Sequence, residues 1–239
     1  MRSLKITAAV VAAILVLLVG GAVALLTFVD PNDYRDDIQQ LAKEKTGRDL
    51  TLAGELDLDL FPWLALRMEK VTLGNPTGYG SEPFATVERA SVGVKLMPLL
   101  RSQVEVSRIA VEQLALNLVS RNETENNWKD LAERDDTGET AGGEGTTSIA
   151  GIDVTRSRLA YRDEAEDSVM HLANLEVHTG RIGSDRPVPM RVEFDYDQGE
   201  AEPLAHVKLE GLAQLPRDAS RIELTDAKVE GRWDTAPFT

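Results

Sequence analysis

The chain has 239 residues, a formal net charge of −14, a pI of about 4.7 and no cysteine. Such acidity repels phosphate backbones and anionic head groups, which argues against nucleic-acid binding. The missing cysteines exclude disulfides, thiol catalysis and thiolate metal sites.

The stretch Ile6 to Val29 reads ITAAVVAAILVLLVGGAVALLTFV and carries no charge. As a helix it would be about 36 Å long, enough to cross a hydrocarbon core of roughly 30 Å with some tilt. The expectation is an uncleaved membrane anchor followed by an exported region. A cleaved signal peptide is the rival, with Arg2 and Lys5 before the apolar run and Ala22-Val23-Ala24 as the cleavage candidate. The run continues past that point to Val29, which favours the anchor. Lys and Arg flank both sides, so their count leaves orientation open; the short N-terminal tail favours the bulk outside.

Asp30-Pro31-Asn32-Asp33 reads as a helix start, with Asn32 or Asp33 as cap. Tyr34, Ile38, Leu41, Ala42 and Lys45 recur at helical spacing, and Gly47 is the stop, giving a short amphipathic helix. From Arg48 the period becomes two. Leu52, Gly54, Leu56, Leu58 and Leu60 predict one half-buried strand with Asp57 and Asp59 on its outer face, ended by Pro62. A second strand runs from Leu64 to Leu73, a loop spans Gly74 to Gly80, and a third alternating run ends at Leu96 before Pro98. Runs at Val104–Val106, Ile109–Val111 and Leu114–Leu118 follow, and Asn126-Asn127-Trp128 closes the block near a turn. Residues 135–147, DDTGETAGGEGTT, have almost nothing apolar to bury and read as a flexible linker. Alternation resumes at Ile149, Ile152–Val154 and Leu159–Tyr161, with further strands at 169–177, 190–196, 205–212 and 222–231. The domain reading is therefore a tail and anchor over 1–29, a first β-rich region over 30–134, a linker over 135–147, and a second, truncated β-rich region over 148–239.

A faint repeat links Ile109-x-Val111 with Leu114 and Leu116, Ile152-x-Val154 with Leu159 and Tyr161, and Ile222-x-Leu224 with Val229 and Gly231. Each reads as a strand pair joined by a short polar corner, and the repetition predicts an elongated array. The fold expected is mainly β: an anchor helix and a short amphipathic helix, then an elongated antiparallel sheet or groove.

Chemistry-bearing patterns are missing: there is no G-x-S-x-G, P-loop or H-E-x-x-H. Gly78-x-Gly80 is a loop, and the Asn122-Glu123-Thr124 sequon says little without a glycosylating host. His171 and His178, seven apart, fall on opposite faces of an unbroken strand, which disfavours a metal pair. Asp57 and Asp59 share a face, where a solvated strand surface explains them better than a catalytic carboxylate pair. No enzyme, cofactor or small-molecule substrate is expected. The strand faces themselves are rich in Leu, Val and Ile and need a cover, either a second sheet or lipid acyl chains.

The N-terminal apolar run, D-P-N-D-Y-R, K-T-G-R-D-L-T-L-A-G-E-L-D-L-D-L-F-P-W-L at Lys45 to Leu64, V-T-L-G-N-P at Val71 to Pro76, the run Ala90 to Leu100 and Asn127-Trp128 together resemble the AsmA family of bacterial envelope proteins. The likeness is strong over residues 1–131 and weaker from 149 to 233, where Tyr161-Arg162-Asp163 and Leu172 to Leu175 still fit. The resemblance implies an inner-membrane anchor with a periplasmic β-rich body, a role in outer-membrane biogenesis and in targeting proteins to membranes, and kinship with bridge-like lipid carriers built from β-grooves. Family members are usually much longer, so this chain reads as truncated or as the N-terminal part of a split protein. The family offers no catalytic residues. A groove handling phospholipid acyl chains would be lined by Leu56, Leu58, Val92, Val94, Leu114 and Leu116. The alternative is a scaffold with covered faces that binds envelope proteins and no lipid.

Overall fold

The computed structural model describes residues 30–59, 63–95, 105–122, 124–131, 148–183, 186–199, 203–214 and 223–233. The apolar run 6–29, the stretch 98–101, expected from the sequence as a turn, and the acidic stretch 135–147 lie outside the described residues. Among those described, no helix is long and apolar enough to cross a membrane.

The chain enters through a 3-10 turn, Pro31–Tyr34, and the helix α1, Arg35–Thr46. The Asp30 carboxylate, two residues before the first predicted cap, Asn32, accepts from the Asn32 amide at 2.8 Å. Gly47 ends α1 at φ 72, the left-handed conformation a side chain disfavours.

Twelve strands then form one sheet. They are β1 (Leu50–Leu52), β2 (Leu56–Asp59), β3 (Trp63–Leu73), β4 (Ala85–Lys95), β5 (Glu105–Val106), β6 (Ile109–Ser120), β7 (Ser148–Ile149), β8 (Ile152–Asp163), β9 (Ser168–Thr179), β10 (Val188–Asp197), β11 (Ala205–Gln214) and β12 (Glu223–Trp233). The path is β1-β3-β4-β6-β8-β9-β10-β11-β12, with β2 also on β3 and with β5 and β7 bridging beside β4.

Three expectations change. The strand expected from Leu52 to Leu60 is two, because Ala53-Gly54-Glu55 bulge opposite Glu69-Lys70, with the Ala53 amide still donating to the Lys70 carbonyl and the Gly54 amide to the Glu69 carbonyl, both at 3.1 Å. A Cβ at Gly54 would sit 2.5 Å from Glu69, so only glycine fits that close approach. The sheet is mixed rather than antiparallel throughout: β6 and β8 pair in parallel, Ile109 beside Ile152 and Leu116 beside Leu159, as do β5 and β7. A parallel pair needs a long return connection, and residues 121–151 supply it. Two copies of the faint repeat thus lie side by side, their first halves in register and their second halves offset by two residues.

The third change concerns the polar corners, which are kinks inside single long strands. Lys70, Gln113, Arg156, Asn174 and Asp226 have φ between 48 and 54. Each kink shifts the alternation by one residue, so that Val111 and Leu114, three apart, keep one face. The register supports this: β10 runs unbroken, and its Val192 and Tyr196 pair with Val177 and Leu172, which are five apart on the kinked β9.

The two edges of the sheet differ. At one, α1 and the 3-10 turn satisfy the strand backbone with side chains. Asn32 Oδ1 accepts from the Leu56 amide at 3.0 Å and Asn32 Nδ2 donates to the Leu56 carbonyl at 3.1 Å. Gln39 Oε1 accepts from the Leu52 amide at 3.0 Å, and Arg35 donates to the Leu52 carbonyl. Under this cover lie the largest fully buried apolar side chains, Leu52 and Leu56, 2 % and 1 % exposed. At the other edge, β12 pairs only with β11 among the described residues.

Candidate functional site: an uncovered apolar sheet face

Cross-strand partners share a face, and the register assembles one apolar face along the whole sheet. Leu58 pairs with Leu66, which pairs with Val92; Leu64 pairs with Val94. Leu114 stands beside Val87, and Leu116 lies between Ala85 and Leu159. Five of the six sequence candidates, Leu58, Val92, Val94, Leu114 and Leu116, are half-buried on this face. Leu56 shares their face but is buried beneath the 3-10 turn. The same face continues beyond the candidates through Val154–Val177, Leu172–Tyr196 and Val192–Leu209. Those residues were visible as alternation but not as neighbours, because the kinks displaced their phase.

Two described pieces reach this face, the 3-10 turn over Leu56 and Trp128 against Tyr161, with ring centroids 6.2 Å apart. The closest packing is between ladder neighbours, with α1 on β1 and on the 3-10 turn, and the 3-10 turn on β2. A second covering sheet, one of the two covers open from sequence, is therefore not found among the described residues.

The opposite face is polar. Asp57 and Asp59 are there, and Asp59 is paired with Arg67, as expected of a solvated surface. Glu112 receives both Arg89, at 2.8 Å, and Arg156, and Arg191 pairs with Glu210 at 2.7 Å. A cavity of about 460 Å³ on the row of kinks is lined by Lys70, Glu88, Gln113, Arg156 and Arg158. His171 and His178 share this face, contrary to the unbroken-strand expectation, because the Asn174 kink lies between them. Their partners on β10, Asp197 and Arg191, are six residues apart, about 20 Å of strand, so the two rings do not form a ligand pair. Each instead meets a carboxylate: His171 with Asp197 and His178 with Asp153, both at 2.9 Å, and His206 with Asp195 at 2.8 Å. No cluster of metal-binding side chains occurs among the described residues.

A buried polar knot holds the N-terminal half in shape. Arg48 stacks 4.3 Å over the Phe84 ring and donates from Nε to Asp130 at 3.0 Å and from Nη2 to the Asn127 carbonyl at 2.6 Å. Asn127, 0 % exposed, donates to Asn75 Oδ1 and the Asn117 carbonyl, both at 2.8 Å, and accepts from the Val119 amide at 2.9 Å. The Arg48 hydrogen bonds hold the Asp130 carboxyl below its usual range. The segments joined here are the end of α1, the Gly74–Phe84 loop and the turn after β6. The distinctive K-T-G-R, G-N-P and N-W stretches thus meet in one buried hydrogen-bond network.

The described residues form a mainly β body, one long sheet with a capped edge and an apolar face. Family comparison makes the class specific: the AsmA family model matches residues 1–238, and the chain belongs to that family. It is also 31 % identical over 111 residues to Protein AsmA of Escherichia coli (strain K12), a match covering 46 % of this chain and 18 % of that relative. The family is envelope-associated.

Proposed function

We propose that the chain is an inner-membrane-anchored envelope protein whose apolar sheet face receives phospholipid acyl chains, in support of outer-membrane assembly and of protein targeting to the membrane. The run 6–29 is the anchor, and the body from Asp30 onward lies in the periplasm. The protein acts without catalysis. The observation that carries the reading is the continuous apolar face, with no described sheet across it and with Leu58, Val92, Val94, Leu114 and Leu116 only half-buried. A folded protein that leaves so long an apolar surface in water forgoes about 25 cal/mol for each Å². Acyl chains are an occupant that can cover such a face without a matching shape, each buried methylene contributing about 0.8 kcal/mol. A scaffold with closed faces would need a covering layer.

Leu56 and Leu58 provide the test, being two residues apart on one strand and one face, the first covered and the second open. The purified chain should carry phospholipid detectable by mass spectrometry. Leu58→Asp should stay folded and lose the lipid, because the charge reaches water once the face is empty. Leu56→Asp should unfold the N-terminal half, since its charge is buried without a partner. Wild-type protein without lipid, together with an unfolded Leu58→Asp, would establish the closed scaffold instead.

A further inference from the structure

Two rows of cross-strand partners flank the kinks on the polar face, and they differ in content. On one side Glu69, Arg89, Glu112 and Thr155 are consecutive partners across β3, β4, β6 and β8. Arg89 and Arg156 both pair with Glu112, which fills that row with ion pairs. On the other side the partners are Thr72, Thr86, Ala115 and Arg158. Thr72, Thr86 and Ala115 are short and leave that row hollow. Between the rows lie the kinked residues Lys70, Gln113 and Arg156, with φ of 50, 54 and 52. The short row and the kinks together form the cavity of about 460 Å³, a volume within the range of small-molecule sites. Its floor is held from beneath. The Ser157 hydroxyl, on a residue 2 % exposed, accepts from the Leu114 amide at 3.0 Å and donates to the Thr155 carbonyl at 2.9 Å.

The charged lining is Lys70, Arg156 and Arg158 against Glu88, a cationic excess in a chain of net charge −14. Cations elsewhere on this face are matched, Arg67 by Asp59 and Arg191 by Glu210. In the cavity they are not. Lys70 and Arg158 have no side-chain hydrogen bond or ion pair among the described residues, and Arg156 shares Glu112 with Arg89. Three strand spacings separate the backbones of Lys70 and Arg158 by roughly 14 Å, so the two side chains bracket the hollow from opposite ends. A guanidinium presents a planar fork of donors that matches phosphate oxygens, and threonine hydroxyls add neutral donors.

We propose that this cavity binds a small phosphate-bearing anion, with phosphate oxygens held by Arg156 and Arg158 and a second acidic group by Lys70. Glu88 opposes the ligand's charge and limits its affinity. The site lies on the face away from the acyl chains and does not rest on the lipid reading. A soluble phosphate compound and a phospholipid headgroup share this chemistry, and the test separates them.

Pyrophosphate is titrated calorimetrically into the full chain in phosphatidylcholine nanodiscs, at a salt concentration where exposed charges more than about 8 Å apart are screened. Wild type should bind it saturably. Lys70→Gln and Arg158→Gln should each weaken binding about tenfold, the loss of one hydrogen bond between charged groups. Glu88→Gln should tighten it several-fold by removing a like charge. Arg191→Gln, away from the cavity on the same face, should bind as wild type does. These four side chains are exposed, so the variants should keep the fold, which circular dichroism checks. Repeating the titration in discs containing phosphatidylglycerol identifies the source. A headgroup that occupies the cavity competes and lowers the apparent affinity, whereas a soluble ligand leaves it unchanged. Absence of saturable binding in the phosphatidylcholine discs would overturn the proposal. So would a Glu88→Gln that binds no tighter, or an Arg191→Gln that loses as much as Arg158→Gln, since the anion would then answer to the general field of the face and not to the cavity.

Discussion

Asn127 shows how much a single side chain does where no water can replace it. Its amide makes three hydrogen bonds at zero exposure, to Asn75, Asn117 and Val119. Asn127→Ala strands all three partners, and each buried unsatisfied group costs about 1–3 kcal/mol, so a loss of roughly 3 kcal/mol or more is expected in denaturant unfolding. Arg48 and Asp130 add a pH dependence. The Asp130 carboxyl is held below its usual range by the Arg48 hydrogen bonds. A depressed carboxylate contributes its full stability above its unfolded value of about 3.9, and loses it as pH falls through the lower folded value. Asp130→Asn should destabilise by about 2 kcal/mol at neutral pH, less than for a fully buried pair because Asp130 is 32 % exposed. The gap from wild type should close below about pH 4. Arg48, Asn75 and Asn127 all stood in stretches the sequence singled out. That they meet was not legible, because 79 residues separate Arg48 from Asn127 and nothing local encodes the encounter.

At the scale of the strand, two-residue alternation was readable throughout, and it placed most strands within a residue or two of their observed ends. The kinks were not readable as kinks. A polar residue that slips the alternation by one looks the same as a corner between two strands until a neighbour shows the ladder continuing past it. Gln113 is the clearest case: it is exposed, its φ is 54, and Val111 and Leu114 on either side keep the apolar face. Its cost is conformational rather than one of packing, so substitutions there should separate the two. Gln113→Gly should be neutral or stabilising by up to about 1 kcal/mol, because glycine occupies this region freely. Gln113→Val should destabilise by about 1–2 kcal/mol, since a β-branched residue resists it. Deleting Gln113 should do far more, turning Leu114, Leu116 and Leu118 toward the polar face. Thermal unfolding of the three variants orders them directly. The parallel pairing of β6 with β8 was hidden for a related reason: repeats similar in sequence can stack in either sense, and only the return path through residues 121–151 selects one.

For the whole molecule, the sheet separates its two faces by chemistry, ion pairs on one and aliphatic side chains on the other, and the proposed function rests on a ligand that prefers the aliphatic face. Composition announced the aliphatic side chains, but whether anything covered them was a tertiary question, answered by the elements that pack on one another. The faces can be tested against each other within one strand. Val94 lies on the apolar face opposite Leu64 and Val106, while Ser91, three residues earlier, lies on the polar face between Arg67 and Ala110. If acyl chains occupy the apolar face, phospholipid binds the folded state alone and stabilises it by mass action. Lipid at 100 times its dissociation constant contributes about 2.7 kcal/mol, a rise in Tm of roughly 5–10 °C for a body of this size. Val94→Asp should abolish that rise while the lipid-free protein keeps a cooperative transition. Ser91→Asp, adding the same charge to the same strand, should leave the rise intact. Equal responses of the two variants would mean that lipid does not distinguish the faces, and the apolar face would then need another occupant.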